Sequence, residues 1–382
     1  MSLSEHFSPH YKSYYPGTRL EWGYDSLVRD THGNTYIDAT SGWGVLAFGH
    51  CFSEIQKAAI DQIENLIHTC GCNFDHTPQN VLARELIKKM PGGYDWGLFF
   101  ANSGAESVEG AMKLARYHTK RSGFIAFRGG FHGRTFGAMS LGSAFPKLRE
   151  GFEPLLSGVK ILPYNDVDEI RGQWLNIAAV FVEPVQGVGG CKVASKEFMK
   201  AIRDFCNENG ALMVVDEVQS GIGRTGKFWA FEHSAVVPDI ICSAKALGGG
   251  FPLGAVIARK EIMTWPPGSH GSTFGGHPVA CMTGAVVLRK INEAFLKRVG
   301  ERSHLFRQEL ESIRNCKVDG LGFMLAIDVF DSFRRDRIME RCKKNGLLVL
   351  PAEPHGIRLL PALNCKTRVL KEIVDILRKV IN

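Results

Sequence analysis

The sequence predicts an α/β fold, with a large domain on a mainly parallel, doubly wound sheet and a smaller α+β domain after it. Three observations predict it. The runs Val180-Phe181-Val182 and Leu212-Met213-Val214-Val215 have no polar face, as strands covered on both sides require. Such runs alternate with segments of helical periodicity, the pattern of successive βα units. After Pro278 the texture changes to longer amphipathic helices between short strands. At 382 residues, 45% hydrophobic and 22% charged, the chain is large enough for two domains with a substantial core.

Taken in order, residues 4–16 are polar and aromatic without period and read as an arm. Residues 27–38 read as two strands joined by a turn at His32-Gly33-Asn34. Ser41-Gly42-Trp43-Gly44-Val45 follows, a loop whose tryptophan offers either an aromatic wall to a ligand or a core ring. Helical spacing marks 53–67 and 78–89. Trp96-Gly97-Leu98-Phe99-Phe100 is strand-like and ends in Asn102-Ser103-Gly104-Ala105-Glu106, which opens a helix. Free N–H groups and the positive dipole end of that corner suit a phosphate, while Ser103 followed by Glu106 also fits a helix cap. Phe124-Ile125-Ala126-Phe127 leads to Gly130-Phe131-His132-Gly133-Arg134-Thr135. Strand, helix and strand then recur at 177–184, 196–207 and 211–217. The last stretch carries helices at 280–291, 305–313 and 368–380, with strands at 323–329 and 347–350. This divides the chain into an N-terminal arm and hairpin (1–46) that joins the small domain, a large domain (47–276) and a C-terminal small domain (277–382).

The formal charge of +7 is spread along the chain with no basic run, which argues against a nucleic-acid surface and fits the handling of small anions. No apolar run reaches the roughly 18 residues of a membrane span. The irregularly spaced cysteines fit reduced thiols and a cytoplasmic location better than a disulfide or zinc framework. Gly221-Ile222-Gly223-Arg224-Thr225-Gly226 matches a dinucleotide fingerprint but lacks the helix that must follow it.

Four strand ends carry the chemistry. Lys245 stands between the apolar run Ile240-Ile241-Cys242 and a glycine-rich turn, Gly248-Gly249-Gly250, where burial would lower its pKa and make it a nucleophile and base. Asp216 ends a buried strand, Gly104 and Ala105 open a helix, and Phe131 follows another strand. Lysine, acid, phosphate corner and aromatic plate together are the parts that hold pyridoxal 5'-phosphate. Lys245 would bond its aldehyde, Asp216 would pair with its ring nitrogen, and Phe131 would stack on its face.

The five stretches Asn102-Ser103-Gly104-Ala105-Glu106, Gly130-Phe131-His132-Gly133-Arg134-Thr135, Glu183-Pro184-Val185-Gln186-Gly187, Asp216-Glu217-Val218-Gln219-Ser220-Gly221 and Ser243-Ala244-Lys245-Ala246-Leu247-Gly248 occur in this order. In this the sequence resembles the class III aminotransferases, the pyridoxal-phosphate group of ornithine, acetylornithine and 4-aminobutyrate aminotransferases. The resemblance implies a fold type I homodimer with its active sites at the subunit interface. It implies that Lys245 and Asp216 are catalytic, and that Ser103, Gly104, Ala105, Phe131, His132, Glu183 and Gln219 contact the cofactor. It further implies that Thr273 reaches the neighbouring subunit's phosphate, and that Trp43, Arg134 and Arg358 contact substrate. Arg358 would hold the α-carboxylate of a 2-oxo acid such as 2-oxoglutarate, and Arg134 a carboxylate remote from the reacting amine. The implied reaction is ping-pong transfer of an amino group from an ω-amino acid to a 2-oxo acid.

One departure bears on substrate. Gln186-Gly187-Val188-Gly189-Gly190 has valine where the relatives carry a glutamate that pairs with the arginine matching Arg358. Val188 cannot form that pair, so Arg358 is expected either to stay exposed, favouring α-carboxylate substrates, or to be displaced by another means. An amino-acid racemase or epimerase of the same family is therefore kept as the alternative. A cofactor-binding or dinucleotide-binding protein without catalysis is the distant one.

Overall fold

The computed structural model describes residues 14–382, so most of the arm expected over 4–16 lies outside the described residues. Seven strands form the central sheet, in the order Trp96–Ala101, Gly254–Arg259, Ile240–Ser243, Leu212–Asp216, Ile177–Val182, Gly123–Phe127 and Val159–Leu162. All neighbours pair in parallel except Gly254–Arg259, which runs antiparallel to both strands beside it. Alternation along each strand sends side chains into two separate cores. Phe124, Ala126, Val214, Cys242 and Val256 join the helix residues Val108, Met112 and Leu114 on one face. Ile125, Phe127, Met213, Val215, Ile241 and Ile257 join Phe198, Ile202 and Phe205 on the other. This is why the strands read as uniformly apolar.

The helices obey local rules. Helix Lys196–Asn209 begins where the Ser195 hydroxyl accepts from Phe198 N at 3.0 Å, and ends at Gly210, whose φ of 60° is the left-handed stop that glycine supplies. It buries Phe198, Met199, Ile202, Phe205 and Cys206, of which each large apolar side chain contributes about 1.5–3 kcal/mol.

The N-terminal strands Leu20–Tyr24, Leu27–Asp30 and Thr35–Asp38 form a sheet completed by Leu347–Leu348, which lies parallel to Thr35–Asp38. A second antiparallel sheet contains Lys317–Leu321, Met324–Asp328, Gly356–Leu359 and Leu350–Ala352. Helices Glu293–Glu311, Ser332–Lys344 and Thr367–Ile381 accompany these strands. Helix Pro278–Lys290 packs instead on Ser53–Asn65 and Thr77–Ile87. Among the described residues no helix is long and apolar enough to cross a membrane, and all ten cysteines are free.

Candidate active site

Five of the strands deliver their carboxyl ends to one cavity of about 450 Å³. Asn102, Ser103, Gly104 and Ala105 follow Trp96–Ala101, while Phe131, His132 and Gly133 follow Gly123–Phe127. Glu183 follows Ile177–Val182, Asp216 ends its strand, and Ala244 and Lys245 follow Ile240–Ser243. This edge is where open α/β sheets bind ligands, because side chains and helix starts converge there without blocking one another.

Ser103 is the cap of helix Gly104–Thr119, its hydroxyl accepting from Glu106 N at 3.1 Å. The Glu106 carboxylate turns back to Asn102, accepting from its N and Nδ2 at 2.9 Å each. The capping reading of this corner holds. Capping occupies the Glu106 N–H, while Gly104 and Ala105, at the first turn, have no intrahelical acceptor and remain available to an anion.

The acidic side is a buried network. Asp216 Oδ2 lies 2.8 Å from His132 Nδ1, and its Oδ1 accepts from Val218 N at 3.0 Å. Burial disfavours the charged form of His132, but the hydrogen bond and charge of Asp216, aided by Glu183, outweigh it and raise the imidazole pKa. Glu183 accepts from Phe131 N at 2.9 Å and Gly187 N at 3.1 Å, and burial pushes its carboxyl up. Lys245 sits at φ 47°, a left-handed conformation that a lysine adopts only when its surroundings enforce it. Burial lowers its amine to about 8, helped by the Arg358 and Arg224 cations and opposed by Asp216 and Glu183. Because only the neutral amine attacks an aldehyde, the rate at which cofactor-free protein captures pyridoxal phosphate should rise roughly tenfold per pH unit and level off near pH 8. A rise continuing to the ordinary lysine range, above about 10, would contradict this.

Arg358 is not exposed. It is fully buried on the strand Gly356–Leu359, directly behind the cavity residues Gly187 and Gln219. Its Nη1 donates to Gly187 O at 2.7 Å and to Gln219 Oε1 at 3.0 Å, and its guanidinium lies 4.8 Å from the centroid of the Trp43 ring. Gln219 Nε2 in turn donates to Trp43 O at 3.2 Å. Glycine at 187 leaves room for this contact, since a Cβ would stand 2.1 Å from Gln219 Oε1 and displace that side chain. Val188 lines the cavity without an acidic group, and neutral carbonyls do the masking instead. Among the described residues, Arg358 Nε and Nη2 are buried without a hydrogen-bond partner. Two idle donors on one planar fork fit a carboxylate.

Of the residues expected from sequence, Ser103, Gly104, Ala105, Phe131, His132, Glu183, Asp216, Gln219 and Lys245 line the cavity together. Trp43 and Arg358 form the layer behind it. Arg134 and Thr273 are exposed and outside the cavity of the single chain. Asn102 is a lining residue that sequence reasoning missed. Its Nδ2 donates to Ser272 Oγ at 2.8 Å and fastens the loop carrying Thr273 to the phosphate corner. Its place inside the first quoted motif was the available signal. Val45, Val218 and Leu253 also line the cavity; Val45 and Val218 likewise sit inside quoted stretches, and Leu253 carried no such signal.

The donor set fits pyridoxal phosphate. Lys245 faces the cavity, Asp216 is held by His132 and Val218 so that it can meet a ring N–H, and the helix start at Gly104 and Ala105 presents unpaired N–H groups. No helix of the kind a dinucleotide requires follows Gly221 to Gly226, where the chain makes turns and then the short 3₁₀ segment Ala230–Ser234. Comparison with known proteins agrees. The family described as aminotransferase class-III matches residues 18–381. The acetylornithine aminotransferase of Methanopyrus kandleri is 42% identical over 365 residues, covering 93% of each chain. That of Aquifex aeolicus is 38% identical over 360 residues, covering 92% of this chain and 94% of its own. The ornithine aminotransferase of Toxoplasma gondii superposes with a TM-score of 0.90 at 29% identity, covering 99% of this chain and 93% of its own. The chain belongs to the class-III aminotransferases, pyridoxal-phosphate-dependent transaminases of fold type I.

Proposed function

We propose that this site moves an amino group from an ω-amino acid of the acetylornithine, ornithine or 4-aminobutyrate kind to a 2-oxo acid such as 2-oxoglutarate, by a ping-pong course. The observation that carries it is the pairing of a desolvated lysine in the cavity with a buried, half-idle guanidinium one layer behind. When bound, pyridoxal phosphate supplies the aldehyde that accepts the amine and the ring that delocalises the electron pair left on the substrate carbon. The chain's own residues do the rest. Gly104 and Ala105 would hold the phosphate, Phe131, fixed through its N–H by Glu183, would pack against the ring, and Gln219 would stand near the cofactor. Asp216, oriented by His132, would keep a proton on the ring nitrogen. Lys245 Nζ would hold the cofactor's aldehyde carbon and, when free, would be the base that takes the proton from the substrate carbon. Arg358 Nε and Nη2 receive the α-carboxylate of the oxo acid, and Arg134 the remote carboxylate.

The working unit in this reading is a homodimer in which Thr273 meets the partner's phosphate. Its support is a run of exposed apolar side chains, Ile60, Ile63, Ile67, Phe74 and Phe274, around segments that touch through the His68 and Phe274 rings at 4.8 Å. The joining of 1–46 to the C-terminal domain is supported by the parallel pairing of Thr35–Asp38 with Leu347–Leu348, whereas helix Pro278–Lys290 packs on Ser53–Asn65 and Thr77–Ile87 of the large domain. Incubation of the loaded protein with acetylornithine and no oxo acid tests the reaction class. One equivalent of aldehyde product and of pyridoxamine phosphate per site is expected. Loss of optical activity of an amino acid over many turnovers, with no pyridoxamine phosphate formed, would establish the racemase instead.

A further inference from the structure

The mechanism leaves one fully buried cation unused. Arg224 is 1% exposed and lies in the turn that continues from Asp216 and Gln219. Among the described residues its hydrogen bonds go to main-chain oxygens, burial alone bears on its charge, and its Nη2 has no partner. Its Nη1 donates instead to two carbonyls, Pro361 O and Phe323 O, the latter at 3.4 Å. These carbonyls have a common address. Leu359 pairs with Leu325 across the antiparallel ladder, so Pro361 leaves, and Phe323 enters, the two neighbouring strands at the same end. One of those strands carries Arg358. The contact is reciprocal, since Phe323 N donates to Arg224 O at 2.9 Å. Gly322 makes the approach possible, because a Cβ there would lie 2.5 Å from Thr225 Cα.

We infer that Arg224 is a positioning residue for carboxylate recognition, fastening the strand end beside Arg358 to the turn that bears Gln219. It thereby fixes how far the Arg358 fork stands from the cavity. A neutral side chain of this length would not bring a charged donor to both carbonyls, whereas the guanidinium Nη1 reaches both and stays charged in a dry interior. The cation also bears on Lys245, whose amine it helps to depress, but the fastening acts on Arg358 through the backbone. The inference rests on the reading of Arg358 as the carboxylate receptor.

The test uses the loaded protein and glutarate, a dicarboxylate with no reacting carbonyl, with its Kd measured by titration calorimetry. Arg358→Gln is expected to raise the Kd, and Arg224→Gln to raise it about tenfold, with the double variant no weaker than Arg358→Gln alone. The amount of pyridoxal phosphate bound at saturation by the same variants should stay at one equivalent per chain, which shows that the cavity is folded, although the rate of capture shifts with the Lys245 amine that both arginines depress. Gly322→Ala, which presses on the same turn from the other side, should reproduce the loss. If Arg358→Gln binds glutarate as the parent does, the reading of Arg358 fails. If Arg358→Gln weakens binding but Arg224→Gln and Gly322→Ala do not, or if the losses from the two arginines add, the inference about Arg224 alone is overturned.

Discussion

Replacing Lys245 by alanine is expected to lower kcat by roughly 10⁴-fold or more while leaving the fold intact, as measured by steady-state assay and thermal melting. The size follows from the residue's two tasks. It presents the nucleophilic amine that holds the cofactor, and it carries the proton between the substrate carbon and the atom beside it, a step for which acid–base groups supply about 10²–10⁴ by themselves. Stability should not suffer. The ammonium form is disfavoured by burial and by two nearby guanidinium groups, so removing it relieves repulsion rather than breaking a pair. A variant retaining more than about a hundredth of parent activity would place the proton transfer on another group.

Arg358→Gln should lower kcat/KM for the 2-oxo acid by roughly 10²–10³-fold, about 3–4 kcal/mol, and leave the amount of pyridoxal phosphate bound at saturation unchanged. Hydrogen bonds between charged groups contribute about 1.5–3 kcal/mol each, and the fork has two idle donors to give. The unliganded protein should melt no lower than the parent, because a buried guanidinium without a counter-charge costs more than a neutral amide in its place. Val188→Glu tests the same point from the other side. A carboxylate at this cavity-lining position would reach for Arg358 and compete with substrate, raising KM for the oxo acid. A loss with Arg358→Gln of less than about threefold would remove the residue from carboxylate recognition.

The large sheet was legible in the sequence because both of its faces are covered, so that Val180 to Val182 and Leu212 to Val215 show no polar side. The strand Gly254–Arg259 was not, since Ala255 to Ala258 is too short a run to separate from the glycine-rich turn before it. Helix Ser332–Lys344 was hidden by its charge, with only Ile338, Met339 and Cys342 buried. Helix Glu293–Glu311 begins earlier than periodicity alone indicated, at an Asn292 cap. At the site, the strand-end residues were readable because motif and fold place them at one sheet edge. The partners of Arg358 were not. They are a backbone carbonyl and a glutamine amide from a distant strand end, and they leave it buried rather than exposed. No local pattern encodes such a contact across 139 positions. The fastening role of Arg224 was likewise invisible, because its partners are main-chain oxygens.

Every step above depends on Lys245 being the point where cofactor and chain are joined. The most direct measurement is borohydride reduction of the protein loaded with pyridoxal phosphate, followed by digestion and mass spectrometry. The expected result is one phosphopyridoxyl group per chain on the peptide containing Lys245, and none after reduction of Lys245→Ala. A stoichiometric adduct on any other lysine, or none on the parent protein, would contradict the account.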